Sequence, residues 1–298
     1  MNTKSNAVLR GGAAAVTGAR HVRIGRNGQD AAAVWIGDVN VGASARTIAA
    51  DASGAGTSGA GTAPDASGAG TGTSNVGALS AGAIVVCDGC GSGESSEVGA
   101  RLGARLVLGA ISKRLGETGD GPRFSHAAFW ADVRAEVIEA LDRLVAAMPG
   151  PREQIVHDYF LFTTVAAVMV DDAIAVWAIG DGVYAIDGRV RELGPFANNQ
   201  PPYLAYDLVG NPQIAHLEIA RGNSVIVATD GVGEVGLDHF AGIDRFVTHP
   251  DALRRHLALL ARGDERIDWT ARRVVRTPAA LQDDGAVAML VRTSEGVS

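Results

Sequence analysis

Apolar and polar positions along the chain follow two periods. Runs rich in Ala, Val and Ile, bounded by Asp-Gly, Asp-Asp or Gly-Asp, predict strands at Ala31–Val39, Gly82–Val86, Thr163–Val170, Ala173–Ile179, Gly182–Ile186, Ser224–Ala228 and 286–292. The three closely spaced runs from Thr163 to Ile186 are separated by Asp171-Asp172 and Gly180-Asp181, which predicts an antiparallel meander. A step of four residues predicts helices elsewhere. One runs from Glu94 to about Leu115, with Val98, Leu102 and Leu106 as its apolar stripe. A stronger one runs from about Ser125 to Met148, where Phe129, Val133, Val137, Leu141 and Val145 form the stripe and Pro149-Gly150-Pro151 stops it. Shorter helical patterns lie at 151–159, Asp251–Ala261 and 266–275. Residues 194–213, with four prolines, read as a surface loop or small flap. Strands come in blocks and helices in pairs, which predicts a layered α+β fold over a doubly wound parallel sheet.

Composition adds one exception to this pattern. Residues 42–82 are almost entirely Gly, Ala, Ser and Thr, and Asp51-Ala52-Ser53-Gly54-Ala55-Gly56-Thr57 returns as Asp65-Ala66-Ser67-Gly68-Ala69-Gly70-Thr71. Such a segment buries too little apolar area to offset its ordering entropy, so it reads as a flexible insertion in a hairpin within a single domain spanning 1–298. The whole chain is 47% hydrophobic and 20% charged, a globular balance. A net charge of −7 argues against nucleic acid or an anionic membrane as partner through a broad basic face. No apolar run approaches the ~20 residues that span a bilayer, and Gly11–Val16 is too short for a signal segment, so a cytoplasmic protein is expected. The two cysteines, Cys87 and Cys90, lack the further ligands a zinc site needs and read as a buried apolar residue and a turn residue.

Three strand-end acids carry the chemistry. Ile84-Val85-Val86-Cys87 ends in Asp88-Gly89 before the turn Cys90-Gly91-Ser92-Gly93, Ser224–Thr229 ends in Asp230-Gly231, and Asp283-Asp284-Gly285 opens the last strand. A carboxylate at the end of a buried strand is costly without a cation beside it. Aspartates without histidine or thiolate favour Mg²⁺ or Mn²⁺, and two such ions can activate a water against a phosphorus atom.

These residues resemble the metal-dependent serine/threonine protein phosphatases of the PP2C family, from about His21 to Val291, most closely its bacterial branch. The resemblance follows Asn27-Gly28-Gln29-Asp30, Val85–Gly93, Phe162-Thr163-Thr164-Val165, Gly180-Asp181-Gly182-Val183-Tyr184, Thr229-Asp230-Gly231-Val232 and Asp283-Asp284-Gly285, in the family's order. It implies a four-layer α/β/β/α sandwich, two mainly antiparallel sheets flanked by helix pairs. It implies hydrolysis of phosphoserine and phosphothreonine by a hydroxide bridging two divalent ions, with a third ion held more loosely. Asp88 would bridge the pair, with the Gly89 carbonyl and Asp30 at one ion and Asp230 and Asp283 at the other; Asp181 would serve the third. Asp88 and Asp230 are the catalytic acids on this reading, and Arg26, ahead of Arg23, is the phosphate-binding residue. His21 reads as structural. The implied partners are a phosphoprotein substrate and a cognate Ser/Thr kinase, and a monomer is expected.

Two departures matter. Gln29 stands where many members have Glu, which leaves one ion held more weakly, and Cys90 stands where animal and plant members place a histidine, which leaves protonation of the leaving group to water. Two rival readings follow from the same residues. A metal-poor relative could serve as a binding or regulatory module. The loop Asp88–Gly93 also resembles that of S-adenosylmethionine-dependent methyltransferases, though Asp181, Asp230 and Asp283 are then unexplained.

Overall fold

The computed structural model describes residues 7–41, 77–117, 123–249 and 251–294. Two five-stranded sheets form its centre, and all their strand pairs are antiparallel. The first contains β2 (Ala31–Val41), β3 (Gly77–Gly89), β4 (Phe162–Val170), β5 (Ala173–Ile179) and β8 (His216–Arg221), in that order. The second runs β1 (Ala7–Val16), β12 (Gly285–Ser294), β9 (Ser224–Ala228), β6 (Gly182–Ile186) and β7 (Arg189–Leu193). A separate hairpin joins β10 (Asp264–Asp268) to β11 (Arg273–Thr277). Helix α1 (Ala19–Ile24) follows β1; α2 (Ser96–Gly116), α3 (Ala127–Ala147) and α4 (Arg152–Ile155) lie between β3 and β4; α5 (Asp230–Val235), α6 (Ile243–Thr248) and α7 (Ala252–Leu260) follow β9.

Three apolar layers account for the stacking. The alternating residues of a strand face opposite ways, so a strand between two layers must be apolar throughout. β4 meets this requirement: all nine residues are buried. Its Val165, Ala167 and Met169 join Ile84, Val86, Val225, Val227, Ala286, Ala288 and Leu290 between the sheets. Its Ala166, Val168 and Val170 pack with Val133, Val137 and Leu141 of α3 and Val107 and Ile111 of α2. On the far side, Phe246, Leu253 and Leu257 of α6 and α7 cover Val287 and Met289. This is the four-layer α/β/β/α sandwich.

Several expectations need correction. The stripe of α3 is buried as the periodicity requires, but α2 turns a different face inward. Gly99, Ala100, Gly103, Ala104, Val107 and Ile111 are buried there, while Val98 is 40% exposed. Close approach selects that face: a Cβ on Gly103 would lie 2.4 Å from the ring of Phe162. Residues 266–275 form the β10–β11 hairpin and its turn, not a helix. The meander stops at β5, because β6 crosses to the other sheet and pairs with β7 and β9. Gly180 (φ +109°) and Gly182 (φ +120°) make that corner. The flap at 194–213 is partly a plug, with Leu204 and Ala205 fully buried and Asp207 held by Arg134 at 2.5 and 2.7 Å. The β2–β3 pairing extends to Val41 and Gly77, so 77–82 is strand, and the remainder of the Gly/Ala/Ser/Thr segment lies outside the described residues. No described helix is long and apolar enough to cross a membrane.

Candidate active site

Strand parity carries the acids to one end of the central layer. Ile84 and Val86 point between the sheets, so Asp88, two residues on, lies on the same face. The same count from Ala32 places Asp30 there, from Val165 Thr163, from Val227 Thr229, and from Ala286 Asp284. Register then fixes the neighbours. Asp88 lies opposite Thr163 on β4, and one step beyond the Ala31–Cys87 pair sets Asp30 beside Asp88. Asp88 is hydrogen-bonded to both Asp30 and Asp230, the latter at the start of α5.

Like charges placed so close raise one another's proton affinity. Burial and then the charge of Asp30 hold Asp88 well above the usual carboxylate range. Burial pushes Asp30 up to about 7, partly offset by its bonds with Asp88 and with Thr229, whose Oγ1 donates to Asp30 Oδ2 at 2.5 Å. Burial, then Asp230, raise Asp181 to about 6 although Thr163 bonds to it. Asp230 is raised by burial, against a 2.7 Å bond from the Gly231 N–H. Burial and mutual charge dominate these acids, and no cation stands among the leading influences on any of them.

The adjacent groups are committed elsewhere. Asp284 Oδ1 accepts from Gly18 N at 2.8 Å, and its Oδ2 accepts from Gln29 N at 2.6 Å and lies 2.7 Å from His21 Nδ1. It therefore ties α1 to the start of β2, with His21 in a structural part. Asp283 is half exposed, close enough to Asp230 to raise it. Gly89 ends β3, its N–H bonded to Gln29 O at 3.2 Å. Arg26 Nη2 donates to the carbonyls of Gly91 (2.7 Å) and Gly93 (3.4 Å), clasping the glycine turn, and Arg23 is exposed on α1. Cys87 is buried with its thiol pushed up to about 12 by that burial, and Cys90 lies 3.1 Å from Ser92 Oγ; both are free.

Gln29 faces the helix layer. Its Nε2 donates to Ser96 Oγ at 2.5 Å and Cys90 O at 3.2 Å, and a carboxylate could make neither donation. Gln29→Glu is expected to cost about 1–3 kcal/mol in urea unfolding, because the Cys90 carbonyl loses a donor and meets a charge. Unchanged stability would show that the amide contacts are dispensable. The hydroxyls of Thr163 and Thr229 were not singled out by sequence as groups that hold acids. Their places in the two Thr motifs were visible, but the contacts depend on cross-strand and cross-sheet register.

Buried carboxylates that repel one another persist at neutral pH only with protons or cations. These donors are hard oxygens, and the imidazole of His21 is engaged by Asp284, so the set fits a hard divalent cation. The comparisons agree with the fold. The family profile described as Protein phosphatase 2C matches residues 65–272, most of the chain. The chain belongs to the protein phosphatase 2C family, and is an enzyme of the PPM-type protein serine/threonine phosphatases. Similar solved structures include the catalytic domain of the serine/threonine protein phosphatase PstP in complex with two manganese ions (13% identity, TM-score 0.51, covering 97% of this chain and 100% of that one). The Mycobacterium tuberculosis phosphatase PstP/Ppp is also 13% identical, with a TM-score of 0.52 and coverage of 95% and 98%. A bacterial serine phosphatase is 14% identical, with a TM-score of 0.52 and coverage of 98% and 100%. At such identities the likeness is one of fold. The sequence matches no curated protein.

Proposed function

We propose that the protein hydrolyses phosphoserine and phosphothreonine in phosphoproteins with two divalent cations, Mg²⁺ or Mn²⁺. Asp88, Asp230 and Asp283 would hold one ion, Asp88, the Gly89 carbonyl and Asp30 the other, and Asp181 a third, looser one. The observation that carries this reading is the double contact of Asp88 with Asp30 and Asp230 in a buried, mutually repelling set. The two manganese ions of the PstP catalytic domain support the choice of metal. When bound, the ions neutralise the acids, screen phosphoryl charge and lower the pKa of an attacking water.

The chain's own residues supply positioning. Thr229 fixes Asp30 and Thr163 fixes Asp181, so little side-chain entropy remains to be lost on binding. Arg26, anchored through Nη2, keeps Nε and Nη1 for phosphate oxygens. With Cys90 in the glycine turn, the leaving alkoxide takes its proton from water. The substrate would be the product of a cognate Ser/Thr kinase, and the enzyme would act as a cytoplasmic monomer.

The test is turnover of p-nitrophenyl phosphate and of a phosphothreonine peptide by the full chain. Activity is expected with Mn²⁺ or Mg²⁺, and it should disappear on chelation and in Asp230→Ala. Hydrolysis that survives chelation, or no hydrolysis with any divalent ion, would overturn the reading.

A further inference from the structure

A cleft of about 570 Å³ leaves the acid cluster at Asp30 and runs along β2, lined by Thr17, Asp30, Ala33, Val34, Arg101 and Arg105. β2 is the edge strand of its sheet. Edges are normally blunted by lysine, proline or a charge, because their unpaired N–H and C=O groups accept another strand. Ala31-Ala32-Ala33-Val34-Trp35-Ile36 carries none of these, and Val34 and Ile36 are 37% and 42% exposed. The opposite wall is basic. Arg101 and Arg105 are exposed on α2 and form no ion pair among the described residues. The nearest bond is a long one, Arg101 Nη2 to Gly28 O at 3.5 Å. In a chain of net charge −7 these guanidinia are a local exception beside an acidic centre.

We infer that this cleft is the docking track for the polypeptide flanking the phosphoresidue, and that Arg101 and Arg105 select substrates with carboxylates at alternate positions. The inference rests on the phosphatase reading above. A peptide added to the β2 edge would run extended, with main-chain bonds giving affinity and side chains giving choice. The spacing fits. Four residues of helix advance about 6 Å, and two residues of strand advance about 6.6 Å, so every second peptide side chain meets one arginine. Direction fits as well. α2 starts at the site, where Ser96 meets Gln29, so Arg105 lies one turn farther from the acids than Arg101. The acidic residues therefore sit to one side of the phosphoresidue.

Phosphothreonine peptides carrying Asp at two alternate positions, on the N-terminal or the C-terminal side, would be compared with one carrying Ser there. The wild type is expected to favour one Asp peptide through KM. Arg101→Ala/Arg105→Ala should raise that KM about tenfold, with p-nitrophenyl phosphate turnover unchanged. Arg101→Glu/Arg105→Glu should shift preference toward a peptide with Lys at the same positions, and 0.5 M salt should erase most of the wild-type preference. An Asp-to-Ser ratio of kcat/KM that stays at the wild-type value in both double variants overturns the proposal. So does a dimer formed through this edge that shuts the peptide out. If the wild type fails on p-nitrophenyl phosphate, the phosphatase reading falls separately, and anisotropy with the same peptides still decides the groove.

Discussion

Asp88→Asn is expected to cut hydrolysis of p-nitrophenyl phosphate by about a thousandfold or more while raising the melting temperature of the metal-free protein at pH 7.5. The two effects have one origin. Asp88 stands between Asp30 and Asp230, and each of the three is raised by burial and by its acidic neighbours. An asparagine keeps the shape and can donate its N–H groups to both partners, but it brings no charge and no anionic ligand. The pH dependence follows from linkage. Between about pH 4 and 7 the folded metal-free chain holds protons that an unfolded aspartate has already released, so raising the pH favours unfolding. The benefit of those bound protons is fully present below about pH 4 and is lost as pH passes the raised values of Asp181 and Asp30, about 6 and about 7. Melting curves without metal should therefore fall across that window in the wild type, and less steeply in Asp88→Asn. Mn²⁺ should restore the wild type at pH 7.5 and do little at pH 5. Retained turnover in the variant would remove Asp88 from the chemistry; parallel melting curves would remove the repulsion argument.

Gly180→Ala is expected to destabilise the protein by about 3 kcal/mol, a drop of roughly 5–10 °C in melting temperature. The residue has φ +109°, and a Cβ there would lie 2.4 Å from Cβ of Thr163. Gly188→Ala supplies the comparison, since that glycine also has a positive φ (+77°) but meets nothing within 4 Å. Its cost should be about 1 kcal/mol, the backbone part alone. Equal losses by circular dichroism would show that the corner tolerates the side chain. Because Thr163 also bonds Asp181, the Gly180 variant should lose activity at temperatures where it is still folded.

What the sequence made legible depended on whether the signal was local. Phe129, Val133, Val137, Leu141 and Val145 are large residues on one helix face, and each is buried. Asp88 and Asp230 announce themselves as acids at strand ends, Asp30 and Asp181 came through the order of the family's motifs, and the four influence one another in the structure. α2 was misread because contact through Gly99, Ala100, Gly103 and Ala104 leaves almost no hydrophobic signal. The strands Asp264–Asp268 and Arg273–Thr277 were misread as a helix because both lie mostly exposed, where no alternation is required. β8 was missed for a related reason, being an edge strand in which no residue is fully buried and three are exposed. The crossing of β6 and the contacts of Thr229, Thr163 and Arg26 needed the relative placement of the sheets, which no short window holds.

The pairing of β1 with β12 bears on how the protein is made. β1 leaves the ribosome before every other described strand, yet its ladder partner is β12, the last of them. The same strand joins β9, and Asp284 at its start closes on Gly18, His21 and Gln29. Until residues 285–294 have been translated, the second sheet lacks the strand that joins β1 to β9 and the acids lack their shared frame. A nascent chain would thus carry Asp30, Asp88, Asp181 and Asp230 in order and remain inert, so catalytic competence would arrive at once, with β12.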